Sequence, residues 1–297
     1  MATKTNANFP FRYQVVLTAL LAGLLLVVAN SAIWVNRSIF DTTTFTNTAV
    51  TSITSDSSRQ ALASEIVDRA LADRPIVKNV AGNTATKLIA GLLGSNQFNE
   101  VLTKAVGKIQ VYVTSKEQKS VALDLSGVKG TVNNLLTLAD NRGVADTNNA
   151  TTRLNNIPDE LVLVNADNIP SFYKAGVALL WLAPLSVLLA LGLLAYPYVR
   201  RPGRYQRIAL VQGAALVFAG VLSLMVGPLF RPPALARVLS PNMRIVVGNL
   251  YDAFIASFNQ QAYYLVTIGL AVALLPTIVF YGLKWYNKRS PKAPKNR

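Results

Sequence analysis

A chain of 297 residues that is 52% hydrophobic and 14% charged, with a net charge of +15, is far from the balance of an ordinary soluble domain. It contains neither cysteine nor histidine. That removes disulfides, thiolate metal sites, histidine-ligated zinc or haem, an imidazole base and a Ser-His-Asp triad, and no cofactor or metal is expected.

Residues 1–12 carry Lys4 and Arg12 and no acidic residue. Residues 13–35 then run without a charge, and at about 1.5 Å per helical residue such a run exceeds the roughly 30 Å hydrocarbon core of a bilayer. The small residues of 29–32 would also suit a signal-peptide cleavage site. The run is longer than the roughly 7–15 apolar residues of a signal peptide, so an uncleaved anchor is the expected reading.

Residues 36–174 are nearly neutral, with 14 basic and 13 acidic residues. Asp41 stands where it would cap a helix starting in the threonines that follow, and Ser55 and Asp56 precede a second. Ala61, Leu62, Ile66, Val67, Ala70 and Leu71 recur at helical spacing. Two further stripes run from Ile76 to Leu92 and from Phe98 to Val113, so three core-facing amphipathic helices are predicted. Alternation at 121–125 and a β-branched run at 161–164 predict a small strand pair. Between them, a helix through Val128, Val132, Leu135 and Leu136 and an exposed loop over 140–156 are expected. Asp124 interrupts an apolar strand and Asp159 adjoins Glu160. Alternation puts Asp124 on the face opposite Val121, Leu123 and Leu125, and neighbouring strand residues point apart, so solvated carboxylates are expected rather than a catalytic pair.

Three more uncharged runs follow, at 175–199, 208–230 and 253–283. None holds an ionisable side chain of the kind that marks an ion or proton path. Thr18, Asn30, Ser186, Gln212, Ser223 and Thr267 are expected to hydrogen-bond between helices. Ala215, Ala219, Ser223 and Gly227 recur every four residues on the third span, and Gly269, Ala273 and Thr277 form a shorter stripe on the fourth. Small residues at that spacing let helix backbones approach closely, so these two spans are expected to pack together, or one of them to face a second subunit. Pro184 and Pro276 are expected to kink or open their helices. Leu250, Phe254 and Phe258 are expected to dock beneath the outer domain or rest at the interface.

The excess positive charge lies in three places. Residues 1–12, the hairpin with Arg200, Arg201, Arg204 and Arg207, and the tail beginning with Lys284, Lys288 and Arg289 hold 12 basic and no acidic residues. Basic residues beside span ends resist translocation, so all three are expected on the cytoplasmic side. The predicted order is 1–12 inside, 13–35 spanning, 36–174 outside, 175–199 spanning, 200–207 inside and 208–230 spanning. An outer loop or interfacial helix at 231–258, a span at 259–283 and an inner tail at 284–297 complete it. This is a membrane all-α fold: four transmembrane helices and a mostly α-helical extracytoplasmic domain with a minor two-strand β element. Orientation accounts for the charge, so no nucleic-acid partner is expected.

The order of one span, a helical outer domain and three closely following spans resembles a family of uncharacterised integral membrane proteins common in actinobacteria and related bacteria. The likeness is carried by Trp34, Val35, Asn36, Arg37, Asp41, Thr42 and Phe45, by Val-Ala-Leu-Asp-Leu at 121–125 and by Arg200 and Arg201. It implies residence in the cytoplasmic membrane, and it implies no activity, cofactor or catalytic residue. The expected function is that of a non-enzymatic envelope protein, anchored in the bilayer, whose outer domain binds an envelope protein or a cell-wall component. The alternatives are a sensor or receptor for a small ligand, and a transporter of lipid or uncharged solute.

Overall fold

A computed structural model of the chain describes residues 9–70, 72, 75–116, 121–124, 160–164, 172–200 and 203–289. The predicted helix through Val128 to Leu136, the loop at 140–156, Leu125, Asp159 and Arg201 lie outside the described residues. The chain divides into two compact units. One comprises residues 1–34, 179–229 and 256–297, and the other residues 35–178 and 230–255.

The first unit is built from α1 (Phe9–Val35), most of α6 (Tyr173–Arg200) and α7 (Tyr205–Ala236), and the later part of α8 (Pro241–Arg289). All four helices are long and apolar enough to cross a bilayer. Their apolar surface is bare: Trp181 is 75% exposed, Leu188 67% and Leu229 69%. In water such surface would be driven inward, whereas hydrocarbon is its natural solvent. The chain is therefore a multi-pass membrane protein. α6 and α8 stay helical through Pro184, Pro197 and Pro276.

Inside this unit, α1 turns Val15, Ala19, Ala22, Ala29 and Ala32 inward. Ala29 and Ala32 are thus part of a helix-packing face, although as sequence they resemble a cleavage site. α7 carries two faces of small residues. Ala215 and Ala219 meet α1, where a Cβ on Gly23 would come 3.1 Å from the Ala215 carbonyl oxygen and 3.7 Å from Ala219 Cβ. The second face meets α8. A Cβ on Gly213 would lie 2.6 Å from the backbone nitrogen of Ala273, and one on Gly269 would lie 2.7 Å from that of Val217. The stripe of Ala215 and Ala219 therefore meets the first span, and Gly213 and Gly220 carry the contact with the fourth. Ser223 and Gly227 are buried on α7 as well.

Polar side chains in the unit depart from the predicted pattern. Gln212 alone among those predicted shows a bond to another helix, with its Nε2 donating to the Leu194 carbonyl at 2.6 Å. Thr18 and Thr267 instead donate to carbonyls one turn back in their own helices, because a hydroxyl on a short side chain reaches the i−4 carbonyl without a partner helix. Asn30 Nδ2 and Ser223 Oγ are buried without hydrogen-bond partners.

In the second unit a π-helical turn, Asn36–Phe40, precedes α2 (Thr42–Ile53), α3 (Asp56–Ala70), α4 (Pro75–Leu93) and α5 (Asn96–Thr114). Asp41 caps α2, accepting the Thr44 amide at 2.7 Å, and Ser95 caps α5, accepting the Phe98 amide at 3.2 Å. α2 packs on α5 and α3 on α4. β1 (Val121–Asp124) and β2 (Glu160–Val164) run antiparallel, with Asp124 opposite Glu160.

The buried face of α3 differs from the predicted stripe. Ser58, Ala61, Ala63 and Val67 are buried and Ile66 is exposed. The face is turned because polar groups of α3 also need partners. Asn249 Nδ2 donates to Ser57 and Ser58 at 2.8 and 2.9 Å, Ser240 donates to Glu65, and Asn242 Nδ2 lies 3.3 Å from Asp68 Oδ2. Those donors belong to α8 or to Ser240, the residue before it. The segment 231–258, predicted as a loop or interfacial helix, is helical except for 237–240. Arg231 ends the uncharged run, but backbone hydrogen bonding does not depend on hydropathy, so α7 continues past it.

Candidate functional site

The segment that carries the family resemblance is structural. Trp34 Nε1 donates to Ser257 Oγ at 3.0 Å, and its ring meets Phe258 edge-on with centroids 5.4 Å apart. Thr42 donates to Gln110 Oε1 at 2.8 Å, and Gln110 Nε2 donates to the carbonyls of Ile39 and Phe40 at 2.9 and 3.1 Å. Gln110, only 2% exposed, thereby clamps the turn at which the chain enters α2. Phe45 packs against Phe254 with ring centroids 5.2 Å apart. Phe254 thus docks on α2, one of the two arrangements expected for it.

With its entry fixed in this way, α2 presents Asn47, Thr48, Thr51 and Ser52 along one side, spaced three and four residues apart. α8 presents Asn249, Asp252 and Ala253 at the same spacing, and Ser55 and Ser57 close one end. Together they line an open groove of about 630 Å³. Eight of the nine lining residues are polar and seven of those are uncharged hydroxyls or amides, so the groove offers many donors and acceptors with little field. Its carboxylate, Asp252, is held by Arg231 in a forked pair, Nε to Oδ1 at 2.8 Å and Nη2 to Oδ2 at 2.9 Å. Ser55 donates to the Ser52 carbonyl at 2.8 Å, and its Oγ lies 3.0 Å from Ser58 Oγ. Ser52 Oγ is buried and unpartnered. It is a spare polar group in a wall of the groove.

Other predicted positions are dispersed. Asp124 and Glu160 are register partners in the backbone pairing of β1 and β2. Arg200 lies 5.6 Å from the centre of the Tyr196 ring. Arg204 and Arg207 flank the start of α7, and Lys284, Lys288 and Arg289 fall in the last turns of α8. Among the described residues no cluster of acidic side chains could hold a metal ion.

Three carboxylates of the second unit sit below their ordinary pKa. Glu65, with a side chain 15% exposed, is lowered first by the Ser240 hydroxyl and then by Arg69. The Thr44 hydroxyl and amide lower Asp41, and Lys104 lowers Glu100. These groups are ionised caps and ion-pair partners, not proton donors poised for chemistry.

The groove escaped sequence reasoning because its two walls lie some two hundred positions apart in the chain. A usable signal was present in the 3–4 spacing of Asn47, Thr48, Thr51 and Ser55, which is a helical stripe of hydrogen-bonding groups. Comparison with protein-family models, curated proteins and solved structures returns no match.

Proposed function

We propose that this protein is a non-enzymatic membrane anchor of the bacterial cell envelope whose helical domain, outside the plasma membrane, binds an envelope component through the groove between α2 and α8. The partner is a cell-wall polymer or an envelope protein. The observation that carries the reading is the lining of the groove, made of hydroxyls and amides whose single carboxylate is already paired with Arg231. Such a surface hydrogen-bonds an uncharged polar ligand without desolvating a net charge. The orientation, with both termini cytoplasmic, is supported by the basic residues at Arg200, Arg201, Arg204, Arg207, Lys284, Lys288 and Arg289. The resemblance of residues 34–45 to the actinobacterial-type family supports the same location.

A photo-crosslinking side chain at Thr51, which is exposed in the groove, tests the binding. Irradiation of native membranes is expected to yield a glycan or protein adduct that Thr48→Leu removes. Adducts identical to those from a crosslinker at Val111, exposed on α5, would overturn it. Single cysteines introduced as Asn148→Cys and Ser290→Cys test orientation, because the chain is otherwise free of cysteine. An impermeant maleimide on intact cells is expected to label the first position only.

One observation favours a receptor as the second reading. Asn249, Asp252 and Ala253 in the groove belong to α8, the same helix whose later residues form the fourth apolar stretch. A receptor would show ligand-dependent hydrogen exchange in residues 259–283, whereas a passive anchor would not.

A further inference from the structure

Three helices of the apolar unit share a level at which the contacts between them bring polar residues together. Gly213 of α7 stands against Gly269 and Ala273 of α8, and Gly220 against Val266 and Ala262. The two helices therefore run antiparallel, and one further turn along α7 brings Ser223 level with Gln261 of α8. Trp34 of α1 is bonded to Ser257 and set against Phe258, while Gly23, three turns earlier, stands against Ala215 and Ala219. α1 thus runs antiparallel to α8 as well. Asn30, one turn before Trp34, is then level with Gln261, one turn after Ser257.

At that level each helix buries a polar atom that no protein group satisfies: Asn30 Nδ2, Ser223 Oγ and Gln261 Oε1. Ser223 is 0% exposed and Asn30 8%. Asn30 lies five residues inside the end of the uncharged run 13–35, Ser223 seven inside that of 208–230, and Gln261 eight inside the start of 253–283. At 1.5 Å per residue the shared depth is about 8–12 Å, where lipid tails offer no hydrogen bond. The neighbouring Ala219, Gly220 and Ala262 are buried and small, so little side-chain bulk competes for the space.

The chemistry of the three atoms selects the ligand. One is a donor, one an acceptor, and the hydroxyl can be either. A water molecule accepts from Asn30 Nδ2 and donates to Gln261 Oε1 and Ser223 Oγ, and about three bonds is what a buried water ordinarily makes. A sodium ion would instead meet the amide hydrogens of Asn30, with no carboxylate in the four runs to offset its charge. Asn259 Oδ1 is also buried and unpartnered, but residues two apart on a helix point about 200° apart, so it belongs to another side of α8.

We propose that Asn30, Ser223 and Gln261 form a site for an ordered water molecule that bridges α1, α7 and α8. The bridge fixes the register of three helices that small side chains alone would allow to slide past one another. The assignment is independent of the orientation of the chain and of the ligand of the α2–α8 groove.

The test uses the full chain in lipid bilayers, with water itself as the probe. In solid-state NMR of protein labelled with nitrogen-15 at asparagine side chains, the Asn30 signal is identified by its loss in Asn30→Leu. Polarisation is expected to pass from water protons to Asn30 Nδ2 in the unmodified chain, and Ser223→Val, which sets a methyl group in place of the hydroxyl, is expected to abolish the transfer. Absence of transfer in the unmodified chain, or full transfer in Ser223→Val, would overturn the assignment. Thermal melts supply a second readout. Asn30→Leu and Gln261→Leu are each expected to lower the melting temperature by about 4 °C, because each takes a bond from a water that the other groups still hold. Combining both with Ser223→Ala removes every group that needs the water, and the fall is expected to be no larger than that of the worse single change. A rise in the single variants would mean that these atoms go unsatisfied, additive losses would mean separate interactions, and a higher melting temperature in sodium chloride than in choline chloride would mean a bound ion. Each of those results would overturn the bridge.

Discussion

The two units solve the same packing problem with opposite materials. In the apolar unit helices meet through the smallest side chains, Gly213 against Ala273 and Gly23 against Ala215, and large apolar residues remain on the outside. In the other unit the contacts between helices are threaded with hydrogen bonds: Gln110 to the turn before α2, Asn249 to Ser57 and Ser58, and Ser240 to Glu65. Hydrocarbon gives helices no hydrophobic reason to associate, so close backbone approach and dispersion must hold them. In water apolar burial supplies the attraction, and buried polar groups are tolerated where they are paired.

The sharpest way to break that contrast is to add volume where backbones touch. Gly213→Leu should destabilise the apolar unit by about 3 kcal/mol or more, because neither the Gly269 carbonyl nor the Ala273 backbone can give way. Its melting temperature in detergent should fall steeply, while Gly192→Leu, which meets nothing within 4 Å, should leave it unchanged. Equal effects at the two positions would refute the account of the packing.

Removing a hydrogen-bonding clamp probes the other side of the comparison. Gln110→Leu strands the Ile39 and Phe40 carbonyls and the Thr42 hydroxyl, with an expected loss of about 2–3 kcal/mol by denaturant titration of the full chain. Ser95→Ala removes only the cap of α5 and should cost about 1 kcal/mol. A loss as large as that at Gln110 would mean that the clamp is no more than local.

The smallest effect is in pH. Asp41, Glu65 and Glu100 have folded-state pKa values below their unfolded ones. Their contribution is complete above the unfolded carboxylate range and fades as pH falls through the folded values, so thermal stability should be level above about pH 5 and decline below about pH 4. Glu65→Gln should make that decline shallower in a series of melts. A decline on raising the pH instead would have the wrong sign for this cause.

What the sequence discloses follows from the same contrast. A charge-free run declares itself one residue at a time, so the four apolar helices are legible, as are the Asp41 cap and the stripes that became α3, α4 and α5. Which helices meet is a property of pairs. The Ala215 stripe is visible, but nothing within α7 says that α1 receives it, and the fourth span is met by Gly213 and Gly220, too few to stand out as a run. The α2–α8 groove was hidden for a related reason. Asn47, Thr48 and Thr51 read only as polar positions of a capped helix until Asn249 and Asp252, some two hundred positions later, are brought beside them.

Trp34 gives the chain a built-in optical gauge. Of its three tryptophans, Trp181 and Trp285 are largely exposed, while the indole of Trp34 is tethered to Ser257 and set against Phe258. With Trp181→Phe and Trp285→Phe in place, the emission wavelength and quenching of the remaining indole would report, without any label, whether α1 and α8 stay joined there.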